Sequence, residues 1–262
     1  MSWFDALILG IIQGLTEFLP VSSSGHLEIG KVVMGVNAER SLVFTVVVHG
    51  ATVLSTIFVF HSDLRRLIDG FFKFRWNSET RYIVRIFISM IPVLVVGLTL
   101  SDEVASFFDG DLLLVGSMLI ITALFLTFSH YFKPREKEIS YRDSFIIGIA
   151  QALAVMPGIS RSGATIATGL MLRNRKADVA RFSFLMVLIP IIGANLKDLA
   201  GTNPDNNDVG VTALVIGFIA AFVTGYIACR WMVDLVKKGK LIYFGVYCFL
   251  VGALSVVFHY IG

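Results

Sequence analysis

The sequence predicts an all-α, polytopic membrane protein. Six transmembrane helices plus two re-entrant helical hairpins form an inverted-topology repeat, within a single integral membrane domain of residues 1–262. Three observations carry this. First, 56% of the 262 residues are hydrophobic and mean hydropathy is +0.79, beyond the apolar share of a soluble domain. Second, six runs approach the roughly 20 residues needed to cross a bilayer. Third, two other apolar segments are each interrupted by proline, serine and glycine, and they match one another.

Residues 1–19 are apolar but carry Asp5, Gln13 and Glu17, and the run breaks at Pro20. No cationic region precedes it, so it does not read as a cleaved signal. A shorter apolar piece, 26–36, follows. Neither piece spans alone. Together they read as a hairpin, a form tolerated at membrane depth only where its tip is buried in protein or lines a water-filled cavity. Residues 41–60 are the first full span. The loop 62–82 after it is basic, with Arg65, Arg66, Lys73, Arg75 and Arg81. Residues 83–100 are the second span, and the loop 101–111 holds Asp102, Glu103, Asp109 and Asp111. Residues 112–132, the third span, lead to Lys133, Arg135, Lys137 and Arg142.

The second broken segment runs over 141–156, stops at Pro157 and resumes over 162–172. Arg173, Arg175, Lys176 and Arg181 come next. Residues 182–199, 211–233 and 241–261 are the remaining spans, with Lys237, Lys238 and Lys240 between the last two. Cations mark the cytoplasmic side. Of 22 Lys and Arg, only Lys31, Arg40, Arg161 and Lys197 lie away from the loops and span ends assigned to it. Both termini then lie outside. Cations flank the second broken segment on both sides, so the chain enters and leaves there by one face.

The two broken segments align without a gap. Gln13 pairs with Gln151, Ser22 with Ser160, Ser24 with Ser162 and Gly25 with Gly163, at a constant offset of 138 (151 − 13). Gly10 and Gly148 also pair. Three spans lie between the copies, an odd number, so the copies point in opposite directions. That is the pattern of inverted repeats, whose broken helices meet near the membrane midplane. Repeat 1 covers about 1–132 and repeat 2 about 141–262.

The copies differ where chemistry is expected. Glu17 stands opposite Val155, His26 opposite Ala164 and Ser23 opposite Arg161. An ionisable residue at membrane depth is expensive and faces protein or water. If the tips meet, one site holds Glu17, His26, Ser22, Ser23, Ser24, Ser160, Arg161, Ser162 and Thr165, with Gly25 and Gly163 in the turns and Gln13 one helical turn from Glu17. A fixed guanidinium, helix N-termini and hydroxyls make a cradle for phosphate. A carboxylate beside them can hold a divalent metal or act as a base, and serine and histidine offer a nucleophile and a proton carrier.

Each of these also has a plainer reading. Gln13 and Glu17 fit as interhelical hydrogen bonds, and the serines fit as caps. His49 is read as a helix–helix hydrogen bond. Glu28 and Lys31 are read as lying near the outer interface, and Asn195, Lys197 and Asp198 as a solvated rim. Trp3, Trp76 and Trp231 suit an aromatic belt. Cys229 and Cys248 sit in apolar segments without disulfide or metal-ligand spacing. No feature points to nucleic acid.

LGIIQGLTEFLPVSSSGH (residues 9–26) and PGISRSGAT (residues 157–165) resemble the two signature motifs of the undecaprenyl-diphosphate phosphatase family, also called the bacitracin-resistance protein family. The likeness extends over the whole chain in length, span order and repeat. It implies hydrolysis of undecaprenyl diphosphate to the monophosphate, which recycles the lipid carrier of peptidoglycan and other envelope polymers. It implies a polyprenyl diphosphate substrate, a surround of membrane lipids, and Mg²⁺ or Ca²⁺ as cofactor. The acidic motif falls on Gln13 and Glu17. Some members carry Glu at the first position, so here Glu17 takes more of the metal-binding role. The Ser/His motif falls on Ser22, Ser23, Ser24 and His26, and the arginine on Arg161.

The reading is an enzyme of the bacterial cytoplasmic membrane with an outward-facing site. Ser23 is taken as nucleophile, His26 as proton carrier, and Glu17 and Arg161 as catalytic partners. Attack by a water activated by His26 or Glu17 stays open. A transporter or flippase of polyprenyl phosphate or another anion is the runner-up, and a non-catalytic scaffold the third reading. A homodimer is compatible with all of them.

Overall fold

The structure is a computed structural model. It describes residues 1–36, 42–100, 103–104, 106–107, 111–132, 137–201 and 209–261, with the side chains of 198–201 left aside. The described residues are helical, apart from turns and one isolated bridge between Lys137 and Asn174. The helices are α1 (Trp3–Phe18), α2 (Ser23–Met34), α3 (Leu42–Val59), α4 (His61–Phe71), α5 (Ser78–Thr99), α6 (Leu112–His130), α7 (Tyr141–Leu153), α8 (Arg161–Met171), α9 (Lys176–Met186), α10 (Leu188–Gly201), α11 (Val211–Lys238) and α12 (Ile242–Ile261). Six helical stretches are long and apolar enough to cross a membrane: α3, α5, α6, Lys176–Lys197, α11 and α12. They correspond to the six runs expected from the sequence. The outer faces of α5 and α12 expose Phe87, Val95, Leu98, Leu250 and Phe258, an apolar surface too extensive for water.

The local chemistry of the two copies repeats. α1 starts in a capping box, with Ser2 and Asp5 bonding each other's backbone N–H. α7 starts the same way with Ser140 and Asp143, 138 residues on. This arrangement satisfies two of the orphan donors of a helix start. α1 then stops because Pro20 offers no N–H and pushes Leu19 into extended backbone, ψ 143°. Ser22 Oγ accepts the Gly25 N–H at the start of α2, and Ser160 Oγ accepts the Gly163 N–H at the start of α8.

The two breaks pack on each other reciprocally. A Cβ on Gly25 would lie 3.2 Å from Gly158 Cα, and one on Gly163 would lie 3.3 Å from Pro20 Cβ. The same 138-residue offset relates the two contacts. The crossing of α6 with α12 is also reciprocal. A Cβ on Gly116 would fall 2.7 Å from the Gly252 carbonyl oxygen, and one on Gly252 2.6 Å from that of Gly116. Contacts in which i meets j and j meets i are what a two-fold relation generates. α1 packs closely on α11 through Gly10 and Gly14, and α7 on α5 through Gly148.

Three expectations need correction. The loop expected over 62–82 contains α4 and the first turns of α5. Its charges pair at helical spacing, Asp63 with Arg66 and Arg65 with Asp69, while Leu67 and Gly70 are buried; charge density masked a helix period. The span expected over 182–199 starts earlier and is broken at Val187. Pro190 has no N–H to donate to the carbonyl of Met186, the last residue of α9. Glu28 and Lys31 are buried among the helices and ion-paired at 3.2 Å. His49 makes its Nδ1 hydrogen bond within its own helix, to Thr45 O at 2.8 Å, where an interhelical bond was expected. Asp102, Asp109, Arg40, Lys133 and Arg135 lie outside the described residues.

The glycine contacts yield a stability test. A Cβ at Gly148 would press into the Ser89 backbone carbonyl, whereas one at Gly97 meets nothing within 4 Å. Gly148→Ala is expected to destabilise by about 1–3 kcal/mol, since backbone must move. Gly97→Ala is expected to be neutral or slightly stabilising. Thermal unfolding in detergent compares the two.

Candidate active site

The site forms where α1 ends and α8 begins. Glu17 lies on the last turn of α1 with its side chain 7% exposed. Arg161, the first residue of α8, reaches across 144 positions of sequence and donates from Nη2 to Glu17 Oε1. The other carboxylate oxygen, Oε2, accepts from Ser23 Oγ at 2.6 Å and from Gln13 Nε2 at 2.9 Å. Gln13 and Glu17 meet because i and i+4 share a helix face. A third neighbour is His49 on α3, whose Nε2 lies 3.9 Å from Oε2. One buried carboxylate thus gathers groups from α1, α2, α3 and α8.

The breaks that carry these residues are themselves tied down. Leu19 O accepts from Ser162 Oγ at 3.3 Å, and Pro20 O from the Cys248 thiol at 3.5 Å. On the other side, Thr122 Oγ1 donates to Gly158 O at 3.1 Å and accepts the Ser160 N–H at 2.9 Å. Gly158 has φ +95°, a conformation open to glycine. Ser22 has φ +70°, unusual for a residue with a side chain and of the kind found at functional turns.

The remaining sequence candidates divide. Ser22 and Ser160 use their hydroxyls as caps. Ser24 lies 3.3 Å from Ser22 Oγ and Ser162 3.3 Å from Ser160 Oγ, a matched pair of contacts. Thr165 is buried, bonded to Arg161 O and to Ser183 Oγ, and so braces α8 against α9. His26 has its nitrogens on Ser22 O and Tyr247 Oη. Ser23 therefore donates to Glu17, where the sequence alone suggested His26 as its proton carrier. A small cleft opens beside Glu17 and Arg161. Thr52, Thr56 and Ser183 line it with hydroxyls, and Phe184, Val187 and Ile191 give it an apolar wall.

A divalent cation is tested by the oxygen atoms present. Among the described residues there is no group of three or more His, Cys, Asp and Glu that could hold a metal. Gln13 Oε1, however, is buried without a hydrogen-bond partner, next to the Glu17 carboxylate. An orphan amide oxygen beside one carboxylate suits Mg²⁺ or Ca²⁺ when substrate phosphates complete the shell.

The family profile described as Bacitracin resistance protein BacA matches residues 6–254. The chain belongs to that family. A Bacteroides fragilis protein named undecaprenyl-diphosphatase is 55% identical over 261 residues, 98% of each chain. A Parabacteroides distasonis protein of the same name is 55% identical over 260 residues, again 98% of each. One from Methanococcus vannielii is 39% identical over 261 residues, 97% of this chain and 99% of the relative.

Sequence reasoning did not place His49, Thr122, Ser183, Tyr247 or Cys248 at the site. Only His49 left a signal, an imidazole in an apolar span that called for a polar partner. The others sit in the site region through contacts 18 to 228 residues long. Thr122 carries two buried bonds, so Thr122→Val is expected to lose about 1–3 kcal/mol of stability by leaving Gly158 O and Ser160 N–H unpaired. Thr122→Ser is expected to keep it. Thermal unfolding of both variants checks this.

Proposed function

We propose that this chain is an integral membrane phosphatase. It hydrolyses undecaprenyl diphosphate to undecaprenyl phosphate and inorganic phosphate, and so recycles a carrier for envelope polymers and confers bacitracin resistance. One observation carries the reading: the buried meeting of Arg161, Glu17 and Ser23 at two helix N-termini. The guanidinium has five N–H groups and donates from Nη2 to Glu17, leaving donors for a phosphate. The starts of α2 and α8 add backbone N–H groups and favourable dipoles for an anion.

Ser23 Oγ attacks the terminal phosphorus and passes its proton to Glu17 Oε2. The bond from phosphorus to the bridging oxygen breaks, undecaprenyl phosphate leaves, and water then hydrolyses phospho-Ser23. Arg161 stabilises the charge that grows on the phosphoryl oxygens, usually the largest catalytic contribution. Direct attack by a water that Glu17 deprotonates is the alternative. A bound Mg²⁺ or Ca²⁺, held by Glu17 and Gln13 Oε1, would polarise the phosphoryl oxygens as a Lewis acid. Ser160, Ser162, Gly25 and Gly163 shape the turns around the phosphate.

In this reading the two breaks are the tips of re-entrant hairpins of an inverted repeat. The matched caps and reciprocal contacts support that, and the distribution of cations supports a cytoplasmic-membrane protein with an outward-facing site. The same reciprocity suits a transporter of polyprenyl phosphate, which is the second reading.

Purified protein in detergent with undecaprenyl diphosphate and Mg²⁺ is expected to release phosphate. Ser23→Ala and Arg161→Lys are each expected to lose about 10²–10³-fold in kcat. Wild-type turnover in Arg161→Lys removes it from the site. No phosphate release, with lipid movement in liposomes, favours transport. Trapped phospho-Ser23 supports the serine route, whereas oxygen-18 in phosphate within one turnover and no adduct supports water.

Orientation has its own test. Cys229 and Cys248 are buried, so background labelling is low. An impermeant thiol reagent applied from outside is expected to label Ser106→Cys and to spare Glu138→Cys. The reverse pattern would turn the site toward the cytoplasm.

A further inference from the structure

Both nitrogens of His26 are engaged, and their roles can be assigned. Nδ1 lies 2.8 Å from the Ser22 carbonyl oxygen. A carbonyl only accepts, so Nδ1 carries the hydrogen and Nε2 of the neutral ring carries the lone pair. Nε2 lies 2.9 Å from Tyr247 Oη, so the phenol donates to it. The rings also stack, with centroids 5.6 Å apart and planes 13° from parallel. A line of hydrogen bonds therefore runs from Tyr247 O–H to His26 Nε2, and from His26 Nδ1–H to Ser22 O.

That carbonyl belongs to the residue at φ +70°, ψ 98°. Such a conformation persists only where its surroundings over-determine it. Ser160, its counterpart in the second copy, makes the same cap from φ −72°, and Ala164 stands there in place of His26. A positive φ at the capping serine and the imidazole occur together, at Ser22 and His26 and not at Ser160 and Ala164. The residue after that turn is Ser23, whose hydroxyl is aimed at Glu17 Oε2.

We propose that Tyr247 is a positioning residue for the phosphatase reaction. Through His26 it pins the Ser22 carbonyl, and with it the turn that aims Ser23 at Glu17. The assignment rests on the reading of Ser23 as nucleophile given above. Tyr247 touches no reacting atom. It lies on α12, 221 residues from His26, and the next residue, Cys248, bonds Pro20 O. Two successive residues of α12 thus grip one turn. With both its nitrogens held, His26 is a structural lever, and the Ser23 proton goes to Glu17.

Tyr247→Phe keeps the ring and removes only the hydroxyl. In purified enzyme with Mg²⁺ and undecaprenyl diphosphate, kcat is expected to fall about tenfold, the worth of one hydrogen bond. KM is expected to stay within about twofold, and the thermal midpoint to match wild type. In a His26→Ala background the same change is expected to alter kcat by less than about twofold, because nothing remains to act through. The ¹⁵N resonance of His26 Nε2 is expected to move toward that of a free lone pair in Tyr247→Phe. Wild-type kcat in Tyr247→Phe, an undiminished loss in the His26→Ala background, or an unmoved Nε2 resonance overturns the assignment. Wild-type enzyme that releases no phosphate, or Ser23→Ala that releases it at full rate, sinks the phosphatase reading itself, and the positioning role with it.

Discussion

The contact between Arg161 and Glu17 is the constraint around which the molecule is arranged. Each charge alone, at the end of a broken helix inside an apolar bundle, would be heavily penalised. Joined, they are held at one place by three further polar side chains, Ser23, Gln13 and His49. The pair links the two copies of the repeat. Neither copy holds both members, because Ser23 stands where the second copy has Arg161 and Val155 where the first has Glu17. The contact therefore requires both breaks to be correctly formed and correctly apposed. Close glycine contacts at Gly25, Gly163, Gly116 and Gly252 bring the backbones near enough for that.

The two broken segments share one frame and differ at Glu17, Ser23, His26 and Arg161. Caps, breaks and glycine approaches recur at one offset, so the two halves solve the same problem of ending a helix inside an apolar surround. Ser22 and Ser160 do the same job from different backbone conformations. The glutamine pair also diverges. Gln13 donates to Glu17, while both amide atoms of Gln151 are buried without a partner among the described residues. Val155, at the position of Glu17, offers Gln151 no carboxylate to bond.

Much of this was legible in the sequence because the signals were local and chemically expensive. Six long apolar runs, two Pro-Ser-Gly interruptions and a lone arginine between glycines leave few alternatives. Helix α4 was hidden because its cations, weighed as a topological marker, obscured a period of Leu64, Leu67 and Phe71. The break at Val187 was hidden because Pro190 lies in the middle of one continuous apolar run, where a membrane helix tolerates proline. The role of His49 depended on which way α3 turns its face, and that is decided by packing against α1 and α11. Tyr247 and Thr122 could not be found from spacing, since their partners lie 221 and 38 residues away.

The supports of the two breaks are exchanged between the halves. Thr122, on the last helix of the first half, secures the turn before Ser160. Tyr247 and Cys248, on the last helix of the second half, secure the turn after Pro20. A nascent chain that has inserted only its first half therefore has its acid and serine but not the clasp that shapes the turn between them. The first break is thus among the earliest parts of the chain to be synthesised and among the last to be braced, once α12 has packed beside it.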